Sequence, residues 1–151
     1  METIHDICKE YNIENYTVNP DGSIDVNGSV NLSGRGLTEL PLTFNKVNGG
    51  FYCSNKQLTS LKGCPRWIGG NFSCSNNRLS SLEFSPEYVG GYFECIDNDL
   101  IDNYCDTEIG GYFYTTLVQD GMIFDYNEVT NYNEWRKLYK RKKILDDIFN
   151  M

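Results

Sequence analysis

The sequence predicts one α/β domain, a parallel solenoid of about five coils with a cap at each end. Three observations predict it: a motif that recurs at a fixed interval, columns of glycine and of apolar residues that the recurrence brings into line, and apolar segments with helical spacing near both termini. A length of 151 residues suits a single domain. It can bury a usable core if every element contributes to the same one.

The motif reads Val47-Asn48-Gly49-Gly50-Phe51-Tyr52-Cys53-Ser54, then Ile68-Gly69-Gly70-Asn71-Phe72-Ser73-Cys74-Ser75, then Val89-Gly90-Gly91-Tyr92-Phe93-Glu94-Cys95-Ile96, with starts 21 residues apart. A fourth copy, Ile109-Gly110-Gly111-Tyr112-Phe113-Tyr114-Thr115, follows after 20. A degenerate copy, Val26-Asn27-Gly28-Ser29-Val30-Asn31-Leu32-Ser33, precedes the set by 21. The third position is always glycine: Gly28, Gly49, Gly70, Gly91 and Gly111. Such a column implies either positive φ or coils too close together for a Cβ. The fifth position is Val30, Phe51, Phe72, Phe93 and Phe113, and the seventh is Leu32, Cys53, Cys74, Cys95 and Thr115. Two residues apart on a strand, these side chains share one face and are expected to form the core. Leu37, Leu58, Leu79 and Leu100 follow, then Leu40, Leu61 and Leu82.

The second copy is therefore Phe51-x-Cys53-Ser54-x-x-x-Leu58-Thr59-x-Leu61 and the third Phe72-x-Cys74-Ser75-x-Asn77-x-Leu79-x-x-Leu82. Over residues 24–118 this resembles the leucine-rich-repeat family, whose pattern is L-x-L-x-x-N-x-L-x-x-L, with Phe and Cys replacing the first two leucines. The resemblance implies that Asn77 and Asn98 bond the backbone of adjacent coils through their side-chain amides. Arg35 and Lys56 stand at the equivalent place, so that ladder is expected to be incomplete. The 21-residue period is similar to the short repeats of bacterial effectors and of small proteins encoded by tailed phages.

Punctuation and caps complete the architecture. Pro41, Gly63-Cys64-Pro65 and Ser85-Pro86 end successive coils, because proline fixes φ and discourages helix before it. The few residues between Leu61 and Ile68 leave room for extended or 3₁₀ segments only. Residues 1–23 are expected to cap the first coil. Ile4, Ile7, Cys8 and Tyr11 have helical spacing, and Tyr16 to Val26 reads as a hairpin turning on Pro20-Asp21-Gly22. Residues 119–151 are expected to cap the last coil through a helix over about 131–149. Its stripe of Trp135, Leu138, Tyr139, Leu145, Ile148 and Phe149 could close the stack.

Composition narrows the function. The net charge of -8 disfavours non-specific attraction to nucleic acid or to an anionic membrane. No apolar run is long enough to span a membrane. Met1 to Asp6 lack a leader pattern, so a cytoplasmic chain with its six cysteines as thiols is expected. The sequons at Asn15, Asn27, Asn31 and Asn71 are then read as chance products of an Asn- and Ser-rich chain.

Candidate chemistry is sparse. Cys53, Cys74 and Cys95 read as stacked small hydrophobes, since no Cys-x-x-Cys pair and no nearby histidine offers a metal site. Asp97 to Glu108 echoes an EF-hand loop at positions one, three and twelve but lacks the central glycine and the flanking helices, and the repeat accounts for it better. His5 is the only histidine and lies in the N-terminal cap. With no catalytic residue, metal or cofactor assigned, an enzyme is not expected.

A binding role draws more support. If positions five and seven face the core, positions four, six and eight face the concave side: Ser29, Asn31 and Ser33; Gly50, Tyr52 and Ser54; Asn71, Ser73 and Ser75; Tyr92, Glu94 and Ile96; Tyr112, Tyr114 and Thr116. Tyrosine offers contact area at small entropic cost. Tyr52, Asn71, Tyr92, Glu94, Ile96, Tyr112 and Tyr114 are therefore the candidate partner-binding residues; the alternatives are that the tyrosines merely stabilise the sheet by stacking or that the C-terminal segment covers them. Residues 134–151 carry a net charge of +3 against -11 for residues 1–133. Arg136, Lys137, Lys140 and Lys143 make a secondary basic patch, which either rests on the acidic body or docks an acidic partner or nucleic acid. The expected function is a non-catalytic protein-binding module. The resemblance suggests a phage protein that binds and inhibits a host or defence protein. Its rivals are an acidic nucleic-acid mimic, whose binding would depend steeply on salt, and a self-associating assembly protein.

Overall fold

The computed structural model describes residues 1–101, 105–119, 122–125 and 132–150. The chain opens with α1 (Ile4–Glu10), β1 (Tyr16–Val18), β2 (Ile24–Val26) and β3 (Val30–Asn31). It then alternates β4 (Phe44–Val47) and β5 (Phe51–Tyr52), β6 (Trp67–Ile68) and β7 (Phe72–Ser73), β8 (Tyr88–Val89) and β9 (Phe93–Cys95), and β10 (Glu108–Ile109) and β11 (Phe113–Gln119). β12 (Met122–Asp125) and α2 (Tyr132–Phe149) end it. The result is a parallel-sheet α/β solenoid of about four turns, counted from β2–β3 to β10–β11.

Two sheets run along the solenoid, ordered β1-β2-β4-β6-β8-β10 and β12-β11-β9-β7-β5-β3. Within each, successive coils pair in parallel, and an antiparallel strand finishes one end: β1 on β2, and β12 on β11. Of the two conformations expected before the glycine turn, extended or 3₁₀, the chain takes the extended one. Those residues form the first sheet, and Val47, Ile68, Val89 and Ile109 bury its inner face. Facing them, the phenylalanine column of the second sheet is at most 1% exposed, with ring centroids 6.2 Å apart for Phe51–Phe72, 4.8 Å for Phe72–Phe93 and 5.2 Å for Phe93–Phe113. Burying one such side chain contributes roughly 1.5–3 kcal/mol, so this column is the main apolar spine of the stack.

The glycine column separates the sheets, and close approach explains it. A Cβ on Gly49, Gly70, Gly91 or Gly111 would lie 2.8–3.1 Å from the backbone carbonyl carbon of the glycine one coil earlier. The N–H of each donates to that same glycine's carbonyl at 2.9 Å. Of the column, only Gly28 is among the positive-φ residues, at +153°.

The asparagine ladder follows the repeat with one exchange. Asn77 Nδ2 donates to the carbonyls of Cys53 (3.0 Å) and Cys74 (2.9 Å), while its Oδ1 accepts from the N–H of Asn55 (3.1 Å) and Leu58 (3.2 Å). Asn98 Nδ2 bonds the Cys74 carbonyl at 3.0 Å, and its Oδ1 takes the Leu79 N–H at 3.0 Å. In the preceding coil the buried Asn55 fills this role, accepting the Arg35 N–H at 2.9 Å and donating to the Cys53 carbonyl at 3.2 Å. Lys56 instead takes the left-handed turn at φ +67°, which Gly34, Asn76 and Asp97 supply in the other coils. The inward amide and the left-handed residue have swapped order, so a fixed alignment misses Asn55.

The N-terminal cap follows the sequence pattern. Thr3 and Asp6 form a capping box on α1, Cys8 is buried, and Ile4, Ile7 and Tyr11 pack on the core. The hairpin turns at Gly22, φ +86°, with the Asp21 carboxylate accepting the Ser23 N–H at 2.9 Å. The C-terminal end differs from expectation. The stripe expected to close the stack leaves Leu145, Ile148 and Phe149 exposed, Phe149 at 82%, although α2 lies against β10. The helix starts at Tyr132; Asn131 and the side chains of Trp135, Leu138 and Tyr139 lie outside the described residues. It is β12, pairing from Thr116↔Asp125 to Gln119↔Met122, that covers the last strand of the second sheet.

Candidate partner-binding face

The outward residues of the second sheet fall into rows that the pairing register dictates. Tyr52, Ser73, Glu94 and Tyr114 stand opposite one another across β5, β7, β9 and β11. Asn71, Tyr92 and Tyr112 precede this row by two residues and share its face, and Ile96 follows it. The strands therefore bring all seven sequence-predicted residues onto one surface. Tyr112 is exposed and the other six are half-buried.

Their roles are not equivalent. Asn71 Oδ1 accepts the Tyr92 N–H at 3.0 Å, so this side chain holds the next coil. Tyr92 and Tyr114 pack edge to face with centroids 6.1 Å apart, and Tyr112 tilts against Tyr114 at 6.2 Å. Burial, then the neighbouring Tyr52, Glu94 and Tyr114, pushes the Tyr92 phenol above its ordinary value. The Ser73 hydroxyl, itself buried, donates to Glu94 Oε2 at 3.3 Å. The Tyr52 ring folds back along its strand over Gly50, where a Cβ would lie 2.5 Å from the phenol oxygen. The outcome is a tyrosine-lined platform with one carboxylate set into it.

The secondary basic patch lies on α2. Lys137, Lys140 and Lys143 are exposed, and the side chain of Arg136 lies outside the described residues. Lys140 Nζ reaches Asp106 Oδ1 at 3.8 Å, both side chains well solvated, a pairing worth at most about 1 kcal/mol. The patch thus touches its own acidic body through Lys140. The remainder of α2 carries exposed Ile144, Leu145, Ile148 and Phe149 beside those cations.

Elsewhere the chemistry is structural. All six cysteines are buried, and burial pushes Cys53 up to about 12, which suppresses the reactive thiolate. His5 Nδ1 shares a hydrogen bond of 2.6 Å with the Tyr16 hydroxyl in the N-terminal cap. Among the described residues, no group of three or more His, Cys, Asp or Glu side chains could hold a metal ion. In the segment that echoes a calcium loop, Asp97 makes the left-handed turn and Asn98 bonds backbone carbonyls; residues 102–104 lie outside the described residues. A groove of about 590 Å³ is lined by Thr38–Thr43, Thr59, Ser60, Lys62 and Gly63, at the loops and away from the tyrosines.

A second aromatic row went unread in the sequence. Lys46 Nζ sits 4.7 Å over the Trp67 ring, and Trp67 stacks on Tyr88 at 5.5 Å and 18° on the outer face of the first sheet. These residues also recur at 21, one position before the quoted motif, so extending the alignment by one residue would have found them. No helix among the described residues is long and apolar enough to cross a membrane. No protein-family model, curated protein or solved structure matches this chain.

Proposed function

We propose that the chain is a non-catalytic protein-binding module whose working surface is the tyrosine-lined face of the second sheet. The observation that carries this reading is the cluster of Tyr92, Tyr112 and Tyr114 around Glu94, large side chains gathered on one face and left open to solvent in part. We also read the solenoid as a leucine-rich repeat of five coils, one per strand pair, supported by the amide bonds of Asn77 and Asn98. By resemblance to short-repeat proteins of bacterial effectors and tailed phages, the partner is a bacterial host protein in the cytoplasm, and inhibition of a defence system is the concrete form. Replacing Tyr92, Tyr112 and Tyr114 together by Ala should abolish partner recovery from host lysate and leave the far-ultraviolet circular dichroism unchanged. Retained recovery would remove the face from consideration.

Nucleic-acid mimicry is the second reading, favoured by one specific observation. Between Arg78 and Arg136 the chain contains twelve Asp and Glu and no Lys or Arg. A body of that sign could occupy a basic groove. Its binding would fall steeply between 50 mM and 200 mM salt and tolerate loss of the tyrosines, the reverse of the pattern expected for the platform.

A further inference from the structure

We propose that the platform receives an arginine side chain from a basic surface of the partner protein, the guanidinium lying against the tyrosine rings with Glu94 as its counter-ion. The inference rests on the reading of this face as the binding surface and specifies what that surface recognises.

The geometry supplies three parts of a guanidinium site. Glu94 lies in the row Tyr52, Ser73, Glu94, Tyr114, with Tyr92 two residues away, just before the strand, its ring packed on Tyr114. Tyr92 meets Tyr114 at 6.1 Å, so rings gather beside the carboxylate. The Ser73 hydroxyl binds one oxygen, Oε2, and so orients the carboxylate. Among the described residues no cation pairs with Glu94, although it is half-buried among aromatic rings. A carboxylate in that setting lacks the partner that would offset its desolvation.

The surroundings decide the sign and kind of ligand. No Lys or Arg occurs in the chain from residue 79 to residue 135, and Glu94 is the one charged residue among the seven of this face, so the face attracts cations. Tyrosine faces attract cations through the ring quadrupole. Arginine suits the site better than lysine: its planar group stacks on rings, forks onto a carboxylate and is more weakly hydrated. An anionic ligand would meet both the Glu94 charge and the negative faces of the rings.

The test uses the full chain and a fluorescein-labelled hexa-arginine peptide, read by anisotropy at 0.15 M salt. Glu94→Gln keeps the side chain's shape and should weaken binding about tenfold, the size of one charge-assisted pairing. Glu83→Gln, an exposed charge on the loop between β7 and β8, should change it less than about twofold, because screening leaves only a diffuse contribution. Hexa-lysine should bind the unaltered protein about fivefold more weakly than hexa-arginine. Equal losses from both substitutions, or equal binding of the two peptides, would overturn the proposal in favour of diffuse attraction. Tyr92→Ala with Tyr114→Ala separates the two readings. If that pair abolishes partner recovery while Glu94→Gln leaves recovery and peptide binding intact, the face stands and the arginine fails. If neither alters recovery, both fall. Circular dichroism on each variant checks that the solenoid persists.

Discussion

The early and late coils of the second sheet use the same register positions in opposite ways. In the early coils four small outward side chains each hold the coil above. Ser29 Oγ accepts from the Gly50 N–H at 3.0 Å, Ser33 Oγ from Ser54 at 3.1 Å, Asn71 Oδ1 from Tyr92 at 3.0 Å and Ser75 Oγ from Ile96 at 3.0 Å. In the late coils the place of Ser29 and Asn71 passes to Tyr92 and Tyr112 and that of Ser33 and Ser75 to Ile96, and Tyr92 and Tyr112 each pack on Tyr114. A serine or asparagine oxygen is one or two bonds from Cβ and reaches an N–H one coil away. A phenol oxygen ends far beyond it. The late coils therefore give up that short reach at Tyr92 and Tyr112 and gain broad, amphipathic surface. A uniform solenoid has become half scaffold and half platform.

Three measurements of stability sharpen or break that comparison. Phe72→Ala, in the core beneath both halves, should have the largest effect, about 3–5 kcal/mol in urea unfolding. A loss below about 1 kcal/mol would mean that the phenylalanine column does not carry the stack. Asn77→Ala comes next at about 2–3 kcal/mol, since it strands buried carbonyls and N–H groups in two coils. Asn98→Ala should cost less, because Asn98 is only part-buried; equal costs would show that burial is not what sets the value of the ladder. The smallest effects probe the outer face directly. Ser75→Ala should cost about 0.5–1.5 kcal/mol through its lost hydrogen bond. Tyr112→Ala, 53% exposed, should stay within about 0.5 kcal/mol. A larger cost for Tyr112→Ala than for Ser75→Ala would make the platform structural and collapse the distinction.

Much of this was legible in the sequence because the repeat forces like residues into register. The Phe51, Phe72, Phe93 and Phe113 column, the inward cysteines, the glycine column and the N-terminal hairpin all follow from position within the motif. So does the shared face of the seven candidate residues, since alternate residues of a strand point the same way. Other features were hidden for identifiable reasons. Asn55 and Lys56 exchange the inward and left-handed roles, and a strict alignment counts that coil as lacking its asparagine. β12 was covered by the expectation of a helical cap, although Asp120-Gly121 between two apolar runs is a hairpin signal. Phe84, exposed at φ +66°, takes the turn that Gly63 makes one coil earlier, and no pattern of residue types announces it.

The α2 helix marks where pattern stops and packing begins. Its apolar spacing made a cap plausible, yet spacing reports only that one face is apolar and not that anything covers it. Leu145, Ile148 and Phe149 remain open to solvent. The asparagine ladder and the outer serines make the complementary point. Their polar side chains mark places where backbone groups need partners, but which carbonyl or N–H each one serves depends on the coil stacked against it.

By itself, then, the sequence determined the period, the inward columns and the close glycine contact, because those are consequences of repeating the same steric and hydrophobic choices every 21 residues. Only the tertiary structure decided which polar side chains are spent on neighbouring coils and which stay available. That allocation separates Asn71 from Glu94, two half-buried polar residues on the same face, one bonded to the next coil's backbone and the other held by a single serine hydroxyl. Hydrogen bonds between coils are set by distances of a few tenths of an ångström across the stack, and residue type alone does not encode them.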